Sequence, residues 1–252
     1  MVSEKNLKTY FGYETFRGQQ KAAIDHVLNK KHALVIMPTG MGKSLCYQIP
    51  ALQLNGLTLV ISPLIALMKD QVDVLQKRKI DAAFINSSLT RKERETRYKA
   101  VAEGKYKLLY VTPERFRKKE FLEPLKNRRV DLLAVDEAHC ISEWGHDFRP
   151  DYTRLHEFRK LIDCPTTIAL TATATPEVQK DIIRQLGLEK DEVKLFHEGI
   201  DRPNLHLEVE DVWGEQEKLG HIIRMQHFMP GNGVVYFALI KTLKTFSEHL
   251  LQ

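Results

Sequence analysis

The feature that most constrains this chain is an apolar run that ends in a glycine-containing turn and continues as a helical pattern. Residues 33–37 read Ala-Leu-Val-Ile-Met, residues 38–44 read Pro-Thr-Gly-Met-Gly-Lys-Ser, and a helical pattern follows from Leu45 to Leu54. In this strand–loop–helix order, backbone amides and a helix N-terminus can surround a phosphate group. Gly40 and Gly42 permit the unusual backbone angles that such a loop requires. The sequence therefore predicts a phosphate-binding loop.

The last two residues of the loop supply an ammonium group and a hydroxyl. Lys43 is placed to reach the β- and γ-phosphates of a nucleotide, and Ser44 is placed to coordinate Mg²⁺. The full pattern begins with Gly where this chain has Met37. The predicted contacts of the loop with the nucleotide are Thr39, Gly40, Met41, Gly42, Lys43 and Ser44.

A second apolar run, in the other half of the chain, delivers two carboxylates. Val130–Val135 runs directly into Asp136 and Glu137. Nucleotide-hydrolysing enzymes with a phosphate loop place a metal-binding aspartate at the end of a strand in this way. Asp136 is predicted to hold the metal, and Glu137 to orient or deprotonate the attacking water. A strand that ends in a polar turn is common, but both motifs in this order favour ATP and Mg²⁺ as ligands.

Asp136-Glu137-Ala138-His139, together with residues 37–44, resembles the DEAH-type helicases of superfamily two. Residues 140–150, Cys-Ile-Ser-Glu-Trp-Gly-His-Asp-Phe-Arg-Pro, are similar to the RecQ DNA helicases in particular. That family tolerates a residue other than Gly at the start of the loop. The resemblance implies an α/β, RecA-like P-loop NTPase domain and an ATP-dependent DNA helicase that moves 3′ to 5′. It also implies that His139 relays the nucleotide state to the DNA side.

A segment ahead of the phosphate loop, residues 11–20, resembles the adenine-reading motif of the same family. By that match Tyr13 stacks on the base, while Arg17 and Gln20 contact the nucleotide. A glutamine amide can both donate and accept a hydrogen bond, which suits adenine. The family's usual Pro-Gly before the glutamine is Gly-Gln in this chain.

Two further regions are candidates for contact with nucleic acid. Lys69 lies off the apolar stripe formed by Ile65, Met68, Val72 and Leu75, and the resemblance implies a contact with the DNA backbone. The aromatic loop, residues 141–150, has rings and a cation that suit stacking on bases and pairing with phosphate. Its composition is equally compatible with a loop that covers the core, and the resemblance favours coupling of DNA binding to hydrolysis. The candidate contacts are Lys69, Trp144, His146, Phe148 and Arg149.

Apolar strands alternate with helical segments, which predicts a parallel sheet flanked by helices on both faces. In such sheets ligands bind beyond the carboxyl ends of the strands, where Lys43 and Asp136 both lie. The predicted strands are residues 33–36, 57–61, 82–85, 108–111, 130–135, 167–170 and 193–196.

The pattern restarts after a polar, proline-containing junction at residues 201–204. We therefore predict a first motor domain over residues 1–204 and the start of a second RecA-like domain over residues 205–252. The second part should contain strands at Leu205–Val209 and Val234–Phe237 and helices at about 215–228 and 243–251. These residues are too few to complete such a domain, and none resembles its arginine-bearing motif. The chain is expected to be truncated and, by itself, to bind ATP with weak hydrolysis.

Composition fits this interpretation. The net charge is +5, and clusters of Arg and Lys suit a phosphodiester partner, although residues 91–97 read better as a solvated helix face. No apolar run is long enough to span a bilayer, the N-terminus lacks a signal-peptide pattern, and the three cysteines, which form no C-x-x-C pair, disfavour a disulfide framework or a structural zinc. We expect a cytoplasmic protein, nucleoid-associated if bacterial, that binds single-stranded DNA or duplex with a single-stranded tail.

Two other functions are compatible with the sequence. One is a helicase directed to RNA, against which the aromatic loop argues. The other is a nucleotide-dependent single-stranded DNA-binding module without turnover. Steady-state phosphate release with and without single-stranded DNA distinguishes these possibilities.

Overall fold

The computed structural model describes residues 2–126, 128–144, 147–199, 205–229 and 231–250. The chain divides into two compact units, Met1–Asp201 and Arg202–Gln252. The predicted domain division between residues 204 and 205 stays a prediction, and the two units are described separately.

The first unit is built on one sheet, in which every pair of neighbouring strands is parallel. Across the sheet the strand order is β3-β4-β2-β5-β6-β1-β7. All the strands predicted for this part of the chain are present, and the α/β class is confirmed. The strands are β1 (His32–Ile36), β2 (Leu57–Ile61), β3 (Ala82–Ile85), β4 (Leu108–Val111), β5 (Val130–Val135), β6 (Thr166–Thr171) and β7 (Val193–His197).

Helices cover both faces of this sheet, and most of its strands are therefore continuously apolar rather than alternating. Leu34 and Ile36 of β1 point into one core, whereas Ala33 and Val35 point into the other. One core is covered by the helices between residues 20 and 77 and by a wide helical turn at Leu7–Phe11, and the other by the helices between residues 91 and 185. The helices of the first unit are α1 (Val2–Asn6), α2 (Gln20–Leu28), α3 (Leu45–Gln53), α4 (Ile65–Lys77), α5 (Arg91–Ala102), α6 (Lys119–Lys126), α7 (Leu155–Leu161) and α8 (Pro176–Gln185).

The order of the strands brings distant parts of the sequence to one edge of the sheet. Strands β5, β6 and β1 are consecutive neighbours, so the loops that follow them meet at their carboxyl ends. The N–H of Met37 donates to the carbonyl of Thr171 at 3.1 Å, and the N–H of Asp136 donates to the carbonyl of Ile61 at 2.8 Å. The ladder thus continues one residue beyond the strands and fixes where these loops begin.

The second unit contains both predicted helices, α9 (Gly214–Phe228) and α10 (Ile240–Leu250). The two predicted strands, Leu205–Val209 and Val234–Phe237, are wrong, because both segments have irregular backbone. A helix closes its own hydrogen bonds, whereas a strand needs a neighbour to supply them. Among the described residues of both units, no helix has the length and apolar character needed to cross a membrane.

Candidate active site

The loop between β1 and α3 has the backbone that the sequence predicts for a phosphate-binding turn. Gly40 and Gly42 both have left-handed φ angles, 85° and 78°, which only glycine adopts at little cost. A Cβ atom at Gly42 would lie 2.8 Å from Nε2 of Gln20, so a side chain there would also displace that amide. Nζ of Lys43 donates to the carbonyl of Met37 at 3.1 Å. The ammonium group therefore lies against the start of its own loop.

Gln20, the first residue of α2, joins the segment before this helix to the phosphate loop. Its side chain is 2% exposed, and Nε2 donates to the carbonyls of Met41 at 2.6 Å and Gly42 at 3.2 Å. Oε1 accepts the N–H of Arg17 at 2.9 Å. The sequence did not indicate this bracing role. The predicted contact of Gln20 with adenine stays a prediction.

A cavity of about 210 Å³ opens between the segment before α2, the phosphate loop and α4. Tyr13 is 47% exposed, and Arg17 is also exposed, so both side chains can meet a ligand. Arg78, at the end of α4, holds its guanidinium 4.8 Å from the centre of the Phe11 ring. Thr39, in the phosphate loop, is exposed as well. The cavity is lined by Phe11, Tyr13, Thr15, Arg17, Gln20, Gly40, Met41, Gly42, Ser44 and Leu45, and by four residues that sequence reasoning missed, Gln48, Gln71, Val74 and Arg78.

Asp136 and Glu137 lie in a tight turn directly after β5, which we call the acidic turn. The N–H of Glu137 donates to Oδ1 of Asp136 at 3.1 Å. Glu137 has a φ of 48°, a left-handed conformation that costs a residue with a side chain about 1 kcal/mol or more. Such backbone strain is commonest at functional sites.

The electrostatics of this turn follow from its burial. Burial first, and the neighbouring Glu137 carboxylate second, raise the pKa of Asp136 from 3.8 to about 6. The N–H of Glu137 and the charge of Lys43 act in the opposite direction. The Asp136 carboxylate and the Ser44 hydroxyl are hard oxygen donors, which suit Mg²⁺. A half-buried carboxylate beside a second one is also a place where a divalent cation would balance charge.

His139 connects this turn to the end of β6. Its Nδ1 lies 3.0 Å from Oγ1 of Thr171 and 3.3 Å from Oε2 of Glu137. Because Oγ1 of Thr171 itself donates to the carbonyl of Thr173 at 3.0 Å, it accepts from the imidazole, and the proton is assigned to Nδ1. A polar path therefore runs from Glu137 through His139 to the threonine-rich segment at the end of β6, residues 171–175. This geometry is consistent with the predicted relay, which stays a prediction.

The aromatic loop places its side chains in different environments. Trp144 is 79% exposed and does not cover the core, whereas Phe148 is half-buried. Arg149 donates through Nε and Nη2 to Oδ2 of Asp147 at 3.4 and 3.2 Å, and through Nη1 to the carbonyl of Pro63 at 3.3 Å. His146 lies outside the described residues. Sequence reasoning missed Asp147, although its position two residues before Arg149 permits such a pair.

Lys69 is exposed on α4, apart from the buried residues Met68, Val72 and Leu75. Its position is compatible with contact to a ligand and does not identify one. Ile65, predicted to share the buried face, is instead 38% exposed and is the first residue of the helix.

Comparison with known proteins agrees with this geometry. Residues 17–182 match the family described as DEAD/DEAH box helicase. The chain is 48% identical over 246 residues to the ATP-dependent DNA helicase RecQ of Bacillus subtilis, covering 97% of this chain and 41% of the relative. It is 42% identical over 248 residues to the probable ATP-dependent DNA helicase RecS of the same organism, with 98% and 49% covered. The chain thus spans less than half the length of these relatives.

Solved structures share the fold. The DUF1998 helicase MrfA superposes with a TM-score of 0.71 at 14% identity, over 99% of this chain and 40% of that one. The Pyrococcus furiosus Hef helicase domain superposes with a TM-score of 0.54 at 22% identity, over 72% of this chain and 38% of that one. Since the matched family covers most of the first unit, including the phosphate loop and the acidic turn, this chain belongs to the DEAD/DEAH box helicase family.

Proposed function

We propose that this chain is the ATP-binding motor portion of an ATP-dependent DNA helicase of RecQ type. The observation that carries the proposal is the meeting of the phosphate loop, the acidic turn and the threonine-rich segment at the ends of three neighbouring strands. Relatives that are 42–48% identical to the chain are named DNA helicases. The proposed reaction is transfer of the γ-phosphoryl group of ATP to water.

Each residue at this edge then has a role in that reaction. Lys43 stabilises charge on the β- and γ-phosphates, with the amides of the glycine-containing loop beside it. Ser44 and Asp136 hold Mg²⁺, which when bound neutralises charge that develops on the phosphoryl oxygens. Glu137 orients the water and accepts its proton. His139, 3.3 Å from that carboxylate, carries the change toward β6.

The adenine base is proposed to enter the cavity ahead of the phosphate loop. Tyr13 stacks on the base, and Arg17 and Gln20 contact the nucleotide. Thr39, Gly40, Met41 and Gly42 complete the surface that meets the phosphates.

DNA is proposed to bind along the same sheet edge through Lys69, Trp144, Phe148 and Arg149, with His146 in the same loop. Stacking on an aromatic ring contributes about 1–3 kcal/mol per base, so Trp144→Ala should weaken single-stranded DNA binding by about 5- to 150-fold. The control is Trp213→Ala, since Trp213 is also an exposed tryptophan and lies in the second unit. Equal losses from both substitutions would contradict a specific role for Trp144.

Movement from 3′ to 5′ is proposed from the resemblance to RecQ helicases alone.

Steady-state phosphate release tests the proposed reaction. Glu137→Gln keeps the shape of the side chain but removes the base, so turnover should fall by about 10²-fold or more while ADP still binds. Glu143→Gln is the matched control, because Glu143 is an exposed glutamate six residues further along the chain. Glu137→Gln with the parent turnover would refute the assignment of the base.

The same assay separates the alternatives. Greater stimulation by single-stranded DNA than by single-stranded RNA supports the DNA helicase, and the reverse supports an RNA-directed enzyme. Phosphate release no greater than that of Lys43→Ala would support a binding module without turnover. We expect slow but measurable release, since motors of this kind take a transition-state cation from their second domain, and residues 205–252 contain no segment that resembles the motif.

A further inference from the structure

Three potential metal ligands converge beside the acidic turn, apart from the proposed Mg²⁺ ligands. Sγ of Cys140 lies 3.7 Å from Nε2 of His139 and 3.6 Å from Oδ2 of Asp147. All three atoms lie within 4.8 Å of one another. In a tetrahedral zinc site, with bonds of about 2.0–2.3 Å, neighbouring ligand atoms are about 3.3–3.6 Å apart. The two distances from sulfur thus match the edges of such a site closely.

The imidazole of His139 is held as in a metal-binding histidine. Nδ1 donates to Oγ1 of Thr171 and lies 3.3 Å from a carboxylate oxygen of Glu137. This tautomer places the lone pair on Nε2, the nitrogen that faces Cys140. Histidines that bind metals commonly donate their other N–H to a carboxylate or a similar acceptor, which fixes the ring and raises its basicity.

The backbone holds two ligands firmly and leaves the third at the surface. His139 and Cys140 are adjacent in a short helical turn, Ala138–Ile141, and both are buried. Asp147 is exposed, and a bond from the N–H of Arg149 to the carbonyl of Cys140, 2.9 Å long, keeps its end of the aromatic loop against this turn. Asp147 is therefore the ligand of this cluster that solvent reaches.

We propose that His139, Cys140 and Asp147 form a binding site for a thiophilic divalent cation of the Zn²⁺ class, with solvent in the fourth position. On binding, the Cys140 thiol releases its proton to solvent and sulfur bonds to the ion. The nitrogen, sulfur and oxygen donors favour such an ion over Mg²⁺. The guanidinium of Arg149, 3.2 Å from Oδ2 of Asp147, competes with the ion for this carboxylate.

Occupation of this site would have a functional consequence, which rests on the proposed function. The ion would tie the aromatic loop to the acidic turn and fix the ring of His139. His139 is proposed to relay the nucleotide state and the aromatic loop to bind DNA, so a cation that ties the two together should slow turnover.

Titration of the purified 252-residue chain with Co²⁺ tests the site directly. A tetrahedral Co²⁺ site with a thiolate ligand gives a sulfur-to-cobalt charge-transfer band and intense visible bands. We expect these bands in the parent chain and in Cys164→Ser, and their loss in Cys140→Ser. Displacement by Zn²⁺ then gives the relative affinities of the variants for Zn²⁺.

Two substitutions near the surface keep the test decisive if Cys140→Ser does not fold. Asp147→Asn should weaken Zn²⁺ binding by at least about 10-fold, whereas Arg149→Gln should tighten it, because a competing cation is removed. Partial unfolding cannot produce these opposite signs. A Co²⁺ complex without a thiolate band, or equal affinities in the parent, Asp147→Asn and Arg149→Gln, would overturn the proposal.

Phosphate release separates this proposal from the proposed function. Zn²⁺ should inhibit the parent chain and leave Asp147→Asn much less affected. A thiolate–Co²⁺ band in a chain that neither binds ADP nor releases phosphate would support the metal site and refute the proposed function. Normal ADP binding and turnover without the band would do the reverse.

Discussion

Both units of this chain contain segments that the sequence predicts to be strands, but only the segments of the first unit form them. In the first unit β5 lies between β2 and β6, and its Leu133 is completely buried. In the second unit the segment Leu205–Val209 alternates apolar and polar residues, yet its backbone is irregular, and Leu207 and Val209 are 90% and 93% exposed. The tendency of such residues to form strands expresses packing against neighbours more than an intrinsic backbone preference. A strand pattern in the sequence therefore forms a strand only where neighbouring strands and helices pack against it.

Large-to-small substitutions should show this contrast most strongly. Leu133→Ala leaves a cavity in the centre of the sheet and should lower the free energy of unfolding by about 2–5 kcal/mol. Leu207→Ala makes the same change on the exposed segment of the second unit and should change it by no more than about 0.5 kcal/mol. Urea denaturation of both variants measures the difference. Similar losses would mean that Leu207 is packed in solution and that the contrast between the units is wrong.

A buried charge should give the next largest effect. The pKa of Asp136 in the folded chain is about 6, above its ordinary 3.8. Between these pH values the folded chain binds more protons than the unfolded chain, so its stability falls as pH rises through this window. Asp136→Asn removes this cost and should raise the free energy of unfolding by about 1–3 kcal/mol at pH 8. The gain should be roughly half as large at pH 5.

Thermal unfolding without Mg²⁺ or nucleotide, at both pH values, measures this gain. Glu208→Gln is the matched control, because Glu208 is an exposed carboxylate in the second unit and its substitution removes no charge from the acidic turn. Destabilisation by Asp136→Asn at pH 8 would show that the carboxylate is better solvated than its position indicates.

The sequence predicted most of the first unit because its signals are local. The strand runs and the glycines of the phosphate loop each depend on residues that are neighbours in the sequence. Contacts between side chains of different elements have no comparable local pattern in the sequence. The bracing of the phosphate loop by Gln20, the lining of the cavity by Arg78 and the meeting of Cys140 with Asp147 all follow from how elements pack.

One of these long-range bonds should have a smaller, measurable effect on the site. Gln20→Ala removes hydrogen bonds worth about 0.5–1.5 kcal/mol each, so the affinity for ADP should fall by several-fold to about tenfold. ADP should bind better than GDP in the parent chain, since guanine presents O6 where adenine presents an N6 donor, and Gln20→Ala should reduce that preference. Gln76→Ala is the control, because Gln76 bonds to the carbonyl of Ala82, apart from the cavity. Equal affinities of the parent for ADP and GDP would contradict the adenine-reading role.

The most direct test of the nucleotide site is the equilibrium affinity of the purified chain for ADP in the presence of Mg²⁺. Hydrogen bonds to charged groups contribute about 1.5–3 kcal/mol, so Lys43→Ala should weaken ADP binding by about 10- to 150-fold. Lys69→Ala, which removes an exposed lysine of α4, should leave it unchanged. Isothermal titration calorimetry on the parent and both variants gives the three affinities. If Lys43→Ala bound ADP as tightly as the parent chain, the loop between β1 and α3 would not be the phosphate site.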